Sequence, residues 1–89
     1  MSAFVVRIEK TPRKFLKTLQ ISEKKRIDAA LTLLADNPIP PKAKKLSGRD
    51  GYRIRVGDYR IIYEIQKNVL VVLIIDIGHR REIYRKHSS

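Results

Sequence analysis

The chain of 89 residues contains no cysteine. This absence excludes a disulfide framework, a cysteine-based metal site and a thiol nucleophile. Only two histidines are present, and two imidazoles cannot form a zinc site alone. The longest apolar run, residues 69–75, is far shorter than the roughly 20 residues of a membrane span. The first ten residues also lack the basic start and apolar core of a signal peptide. We therefore expect a cytoplasmic protein with no membrane partner. We also expect no cofactor.

Acidic residues are scarce too, with nine against 20 lysines and arginines, which gives a net charge of +11. A basic domain of this size usually binds nucleic acid, an anionic membrane or an acidic protein. No repeat, linker or low-complexity segment divides the chain, so residues 1–89 are predicted to form a single domain. The sequence contains no Ser-His-Asp series, paired-carboxylate site, phosphate-binding glycine loop or metal-ligand spacing.

A β-hairpin is predicted over residues 51–65, GYRIRVGDYRIIYEI. Two alternating runs flank Gly57 and Asp58, the composition that a two-residue turn requires. The pairs predicted across this turn are Val56 with Tyr59, Arg55 with Arg60, Ile54 with Ile61, and Arg53 with Ile62. Because side chains alternate along a strand, the three arginines share one face and the tyrosines share the apolar face with Ile54 and Ile61.

Arginines that oppose each other on a sheet destabilise it, by roughly 0.2–1 kcal/mol for each such pair. A polyanion would relieve this repulsion, because a guanidinium matches phosphate oxygens bidentately and keeps its charge. The alternative is an ordinary solvated outer face of an antiparallel sheet. The hairpin alone leaves both interpretations open.

The segments before the hairpin predict a strand and two helices. A strand is expected over residues 3–9, followed by a short helix over about residues 12–19 with Thr11 as N-cap and Pro12 in its first position. Ser22 is the predicted N-cap of a second helix that ends near Asn37 and Pro38. Its apolar residues follow helical spacing, so the two helices should pack on the sheet. The alternative is that they lie on a membrane, with the basic residues 24–26 contacting lipid headgroups.

After the hairpin, residues 69–77 form a nearly continuous apolar run, which predicts a central strand covered on both faces. The predicted fold class is therefore α+β. One strand is followed by a helical hairpin and then by a three-stranded antiparallel meander, with the helices packed on one face of the sheet.

Residues 37–50 form a long connection that holds all but one of the prolines. Connections longer than the usual ~4–6 residues are often functional in small domains. Lys42, Lys44 and Lys45 lie in this connection, where they either extend a basic surface or are simply solvated.

The C-terminal residues supply the remaining polar candidates. Attack of an RNA 2′-hydroxyl on the adjacent phosphorus needs in-line geometry, charge stabilisation and proton transfer. Arginines provide the charge but cannot act as the base. His79 and His87 exchange protons near neutrality, and Tyr84 is suited to stacking on a base. The alternative for His79, which follows Gly78, is a surface or capping residue.

Two motifs, LSGRDGYRIRVGDYRIIYEI at 46–65 and IIDIGHRREIYR at 74–85, resemble the RelE/ParE superfamily of toxins from prokaryotic toxin–antitoxin pairs. The resemblance covers essentially the whole chain, including the RelE-like order of elements. In that superfamily the RelE-like branch cleaves messenger RNA in the A site of the small ribosomal subunit. The ParE-like branch instead inhibits DNA gyrase and is not a nuclease.

The resemblance implies catalytic roles for specific residues. Arg53, Arg55 and Arg60 would stabilise the scissile phosphate, Arg80 would neutralise the leaving oxygen, and Tyr84 would stack on a codon base. Arginine stands at 53 and 55 where the family has lysine, which leaves either His79 or features of the ribosomal site to act as the general base. The basic residues expected to contact RNA are Lys42, Lys44, Lys45, Arg81 and Arg85.

The sequence and the resemblance together predict a ribosome-dependent, metal-independent endoribonuclease, the toxin of a toxin–antitoxin pair. Its expected partners are an acidic RelB-like antitoxin, bound in a hetero-oligomer, and the ribosome with its messenger. Two alternatives are a gyrase inhibitor of the ParE type and a basic RNA-binding module without chemistry.

Overall fold

Five strands and two helices make up the chain in the computed structural model, which describes residues 3–48 and 50–79. The elements in chain order are β1 (Val5–Ile8), α1 (Lys10–Lys17), α2 (Ile21–Asp36), β2 (Lys44–Lys45), β3 (Tyr52–Val56), β4 (Tyr59–Gln66) and β5 (Val71–His79). The strands form one sheet in the order β1-β5-β4-β3-β2. β1 runs parallel to β5, and every other neighbouring pair is antiparallel.

The predicted α+β class and the meander of β3, β4 and β5 are confirmed, and two features were not predicted. The parallel pairing of β1 with β5 is one, and it gives β5 neighbours on both sides. The other is β2, which lies in the segment expected to be a loop. Two residues are too few to show an alternating pattern, so this strand leaves no signal in the sequence.

The hairpin register agrees with the prediction at every position. Val56 pairs with Tyr59, Arg55 with Arg60, Ile54 with Ile61, and Arg53 with Ile62. In the turn, Gly57 has a φ of 60°. A type II′ turn requires a positive φ at its first central residue, and glycine adopts that conformation without steric cost.

The main core lies between the helices and one face of the sheet. Leu16 of α1 and three residues of α2 contribute to it from the helices. The buried members of this cluster are Leu16, Ile27, Leu31, Leu34, Ile54, Ile61, Tyr63, Val72, Ile74 and Ile77. The helical hairpin therefore packs on the sheet, as expected from its apolar spacing. No helix among the described residues combines the length and apolarity that crossing a membrane requires.

Both predicted helix starts were wrong by two residues. Glu9 is the N-cap of α1 and Gln20 is the N-cap of α2, and neither side chain caps the helix by a hydrogen bond. Thr11 and Ser22 lie inside the first turns instead. Pro12 is still tolerated there, because the first turn leaves its backbone nitrogens without intrahelical partners. Tertiary packing, with Pro12 and Leu16 buried, outweighs the capping preference.

A second, smaller apolar cluster lies on the opposite face of the sheet. Leu46 and Ile62 are buried there, and Ile75 packs against them. The backbone N–H of Leu46 donates a hydrogen bond to the carbonyl of Gly51 at 3.0 Å, which holds the preceding connection against β3. The face is therefore apolar beside the arginines, and β5 is partly covered on both faces, as predicted. Val69 and Leu70, assigned to this strand from the sequence, instead lie exposed before it.

A β-bulge interrupts the pairing of β4 with β5. Ile62 pairs with Asp76, whereas the next residue, Tyr63, pairs with Ile74, so Ile75 is an extra residue in β5. A bulge of this kind reverses the alternation of side chains beyond it. Val72 and Ile74 enter the main core before the bulge, and Ile77 enters it afterwards.

Candidate nucleic-acid interface

Arg53, Arg55 and Arg60 lie on the sheet face opposite the helices, called here the arginine face. Their neighbours Ile54 and Ile61 point into the main core, so alternation directs the arginines away from it. The prediction that the three share one face is therefore confirmed.

A groove of about 640 Å³ runs across this face beside the hairpin turn. Its lining residues are Lys42, Lys44, Arg53, Ile54, Arg55, Gly57 and Arg60. The antiparallel pairing of β2 with β3 sets Lys44 directly opposite Arg53. The fold thus brings two of the predicted loop lysines together with all three hairpin arginines, and none of the described residues that line the groove is acidic.

The charges in the groove are close together and unevenly exposed. Arg55 and Arg60 oppose each other on neighbouring strands, where paired Cβ atoms are about 4.5–5.5 Å apart. Arg55 is exposed, whereas Arg60 is half-buried with its Nε fully buried. Guanidiniums remain charged under all ordinary conditions, so the groove is a concentrated, permanent positive site suited to phosphate oxygens.

Lys45 lies apart from these residues. Lys45 pairs with Tyr52, which packs against the main core, so Lys45 belongs to the helix side of the sheet rather than to the groove. Its predicted contact with RNA remains a prediction, and the groove lining does not include it.

His79 is also on the helix side of the sheet. His79 pairs with Tyr59, and their rings meet edge to face with centroids 6.0 Å apart. Tyr59 contacts Phe15 in the same manner and donates a hydrogen bond to the Glu23 carboxylate. That hydrogen bond, together with burial and the nearby charges of Glu23 and Asp58, raises the pKa of Tyr59 above its ordinary value. The sheet therefore separates His79 from the arginines with which it was grouped.

Arg80, Arg81, Tyr84, Arg85 and His87 lie outside the described residues. Their predicted roles remain predictions. Among residues 3–48 and 50–79, no cluster of three or more histidine, aspartate or glutamate side chains is arranged to hold a metal ion.

Two residues near the groove were not predicted from the sequence to lie there, and Arg26 was named only with the basic residues 24–26, as an alternative contact for lipid headgroups. Arg26 of α2 reaches the hairpin turn, where its guanidinium nitrogens would lie 3.3 Å from a Cβ atom at Gly57. Asp76 is buried on the arginine face next to Ile62. Neither position is marked by a sequence pattern. The contact of Arg26 with the turn depends on how α2 packs, and the face on which Asp76 lies depends on the bulge.

A scan against family models matches residues 6–84 to the ParE toxin of type II toxin–antitoxin systems. A toxin named RelE1 from Methanocaldococcus jannaschii is 34% identical over 86 residues, covering 92% of this chain and 96% of that protein.

Solved structures of RelE toxins share the fold. The RelE–RelB complex from Pyrococcus horikoshii OT3 matches with a TM-score of 0.75 and 28% identity, over 88% of this chain and 96% of that chain. The RelB–RelE complex from Methanococcus jannaschii matches with a TM-score of 0.68 and 29% identity, over 86% and 93%.

Proposed function

Because the chain belongs to the RelE/ParE family of toxins from type II toxin–antitoxin systems, we propose that it is a ribosome-dependent endoribonuclease acting on messenger RNA in the A site. The observation that carries this proposal is the groove in which Arg53, Arg55 and Arg60 meet Lys42 and Lys44. A cluster of permanent cations with no acidic residue in its lining suits a phosphodiester.

The proposed reaction is attack of a 2′-hydroxyl on the adjacent phosphorus, which forms the 2′-O–P bond of a 2′,3′-cyclic phosphate and breaks the P–O5′ bond. The 2′-hydroxyl gives up a proton, and the leaving 5′-oxygen takes one up. Negative charge develops on the phosphorane oxygens, and donors placed before the reaction stabilise that charge without reorganising. Arg53, Arg55 and Arg60 are proposed as these donors, with Arg80 neutralising the leaving oxygen and Tyr84 stacking on a base. The lysines hold the backbone on either side of the scissile bond.

The residues in the groove contribute least to proton transfer. Guanidiniums cannot accept the hydroxyl proton, and His79 lies across the sheet from the groove. Substrate geometry and part of the proton transfer must then come from the ribosome, which supports ribosome dependence. A free RNA strand offers no fixed in-line arrangement, so naked RNA should be cut poorly.

A primer-extension assay with and without ribosomes tests this proposal. Cuts confined to messenger on ribosomes are expected, and Arg60→Gln should reduce the rate by about 10²- to 10³-fold. Lys25→Gln removes the same charge from an exposed position on α2, outside the groove lining, and should cleave like the wild type. Equal cleavage of naked RNA would exclude ribosome dependence.

Inhibition of DNA gyrase is the second candidate function, and the name of the matching family model favours it. A supercoiling assay separates the two. Blocked supercoiling with no cut on or off the ribosome would replace the nuclease proposal with the gyrase proposal.

The proposed partner is an acidic RelB-like antitoxin, bound in a hetero-oligomer in the cytoplasm. Two of the similar RelE structures are complexes with RelB. The net charge of +11 and the repulsion between Arg55 and Arg60 would both be relieved by a segment of carboxylates lying in the groove.

A further inference from the structure

A buried carboxylate lies on the arginine face, outside the groove lining. Asp76 is only 8% exposed and is the one charged residue in the buried set of the described chain. It pairs with Ile62, whose partner on the other side is Arg53. The next pair of β4 and β5 on the same face joins Arg60 to Gly78, two residues beyond Asp76. Asp76 is thus diagonal to Arg60 and in line with Arg53.

The bulge in β5 is what brings Asp76 to this face. Strict alternation from Val72 and Ile74 would send Asp76 into the main core, where a carboxylate meets only apolar side chains. The extra residue, Ile75, reverses the alternation and turns Asp76 toward the arginines. Bulges occur often beside active sites, where they re-aim a single side chain.

The surroundings of Asp76 explain how a carboxylate is tolerated there. Aspartate is almost never fully buried unless it is paired or hydrogen-bonded. Diagonal cross-strand neighbours have Cβ atoms about 7–8 Å apart, within reach of a guanidinium on its flexible stem. Arg53 lies two strands away, about 10 Å between backbones. Asp76, Arg53 and Arg60 each have a hydrogen bond, ion pair, ring contact or electrostatic interaction in the folded chain, so none of the three is without a partner.

We propose that Asp76 is a positioning residue of the phosphate site, whose buried negative charge holds the guanidiniums of Arg60 and Arg53 in the groove against their mutual repulsion. This inference rests on the proposed nuclease function. Asp76 does not touch the substrate, and it acts by limiting the directions in which the arginines point. Catalysis depends on such preorganisation, since a misplacement of about 1 Å costs on the order of 10²-fold in rate.

Asp76→Asn tests the inference in the ribosome cleavage assay with the full chain. The expected result is a fall in kcat of about 10²-fold, with KM changed by less than about threefold, because positioning acts mainly in the transition state. Asp76→Glu keeps the charge and should recover part of the loss. Glu64→Gln is the matched control, since Glu64 is a half-buried carboxylate on β4, two residues from Ile62 and outside the groove lining. This control should cleave at the wild-type rate.

A double-mutant cycle on unfolding provides a readout that does not need cleavage. Asp76→Asn, Arg60→Gln and the double variant should be non-additive, by about 2- to 100-fold in the unfolding equilibrium constant. Additive effects overturn the inference, and so does an Asp76→Asn protein that cuts at the wild-type rate. Absence of cleavage by the wild type would instead overturn the proposed function, with the cycle still deciding whether Asp76 and Arg60 interact. If Asp76→Asn fails to fold, Asp76→Ser, which also removes the charge, takes its place in both measurements.

Discussion

Arg55 and Arg60 oppose each other on the hairpin, yet their surroundings differ. Arg55 is exposed, whereas Arg60 is half-buried on the face that also holds Asp76. Arg60 also has an interaction within the folded chain. Replacing Arg55 therefore removes the repulsion between the pair without disturbing the half-buried side chain of Arg60.

Replacing Arg55 with glutamine should stabilise the fold by about 0.2–1 kcal/mol, because it removes a like-charge pair and no buried interaction. Arg60→Gln should not stabilise it. Urea unfolding of both variants checks this, and cleavage should fall in both. A loss of stability in Arg55→Gln would mean that this side chain is held by a partner of its own, and the repulsion argument would fail.

Two tyrosines make the fold sensitive to alkali. Burial, with a smaller contribution from Tyr52, raises the pKa of Tyr63 well above its usual range, and its hydroxyl donates a 2.7 Å hydrogen bond to the Pro38 carbonyl. The pKa of Tyr59 is raised mainly by its hydrogen bond to Glu23. A pKa that is higher in the folded state than in the unfolded state, about 10 for tyrosine, stabilises the fold fully below pH ~10 and progressively less as pH rises above that value.

Melting temperature should thus be flat from about pH 8 to pH 9.5 and fall above pH ~10. Tyr63→Phe should lower it at neutral pH, since the Pro38 carbonyl loses its donor, but should flatten the alkaline decline. Tyr59→Phe should act in the same direction. An alkaline decline that is unchanged in both variants would assign it to other groups.

The hairpin turn connects the groove to helix α2. Gly57 lines the groove, and the Arg26 guanidinium lies against it on the helix side. Tyr59 and Glu23 add a hydrogen bond between the same two elements. The helix therefore fixes the strand ends that carry Arg55 and Arg60.

Gly57→Ala should destabilise the fold by about 1–2 kcal/mol, because an L-residue is strained at a φ of 60° and the new Cβ must displace Arg26. Gly48→Ala is the matched control, with a φ of 70° and nothing within 4 Å of its Cβ. The control carries the strain without the contact, so it should cost less. Unfolding in urea measures both, and equal losses would show that the contact with Arg26 contributes nothing.

An element can be predicted from the sequence when the residues that determine it lie close together in the chain. Gly57 and Asp58 fix the hairpin register within a few residues, so Arg53, Arg55 and Arg60 were assigned correctly to one face. The helix starts depend on packing against the sheet, which a capping rule does not include. The bulge at Ile75 lies in a run of apolar residues with no glycine or proline to mark it, so the face of every side chain beyond it was undetermined.

The whole molecule carries a charge of +11, and the described residues hold a groove that gathers five of its cations. Such a field steers an acidic partner toward the site and accelerates association. Complexes of this kind associate far faster at low ionic strength, since salt screens the attraction over about 8–10 Å.

Association with the antitoxin should slow by about tenfold or more between low and physiological salt. Stopped-flow mixing with a RelB-like antitoxin that binds this chain measures the rate. The Arg55→Gln protein should show a shallower dependence on salt, and Lys45→Gln, which removes a charge from the other side of the sheet, a smaller change. An association rate that does not change with ionic strength would exclude electrostatic steering.

The bulge in β5 also governs how this strand can change in evolution. Along a strand the count of residues works like a reading frame, because gaining or losing one residue exchanges inside and outside for everything downstream. β5 is read in one frame up to Ile74 and in the other from Asp76 onward. Deleting Ile75 would merge the two frames without moving any side chain to the other face, because Asp76 would then follow Ile74 directly and stay on the arginine face. Straightening the bulge with Ile75 retained would instead shift everything beyond Ile74, and an imidazole rather than a carboxylate would border the groove.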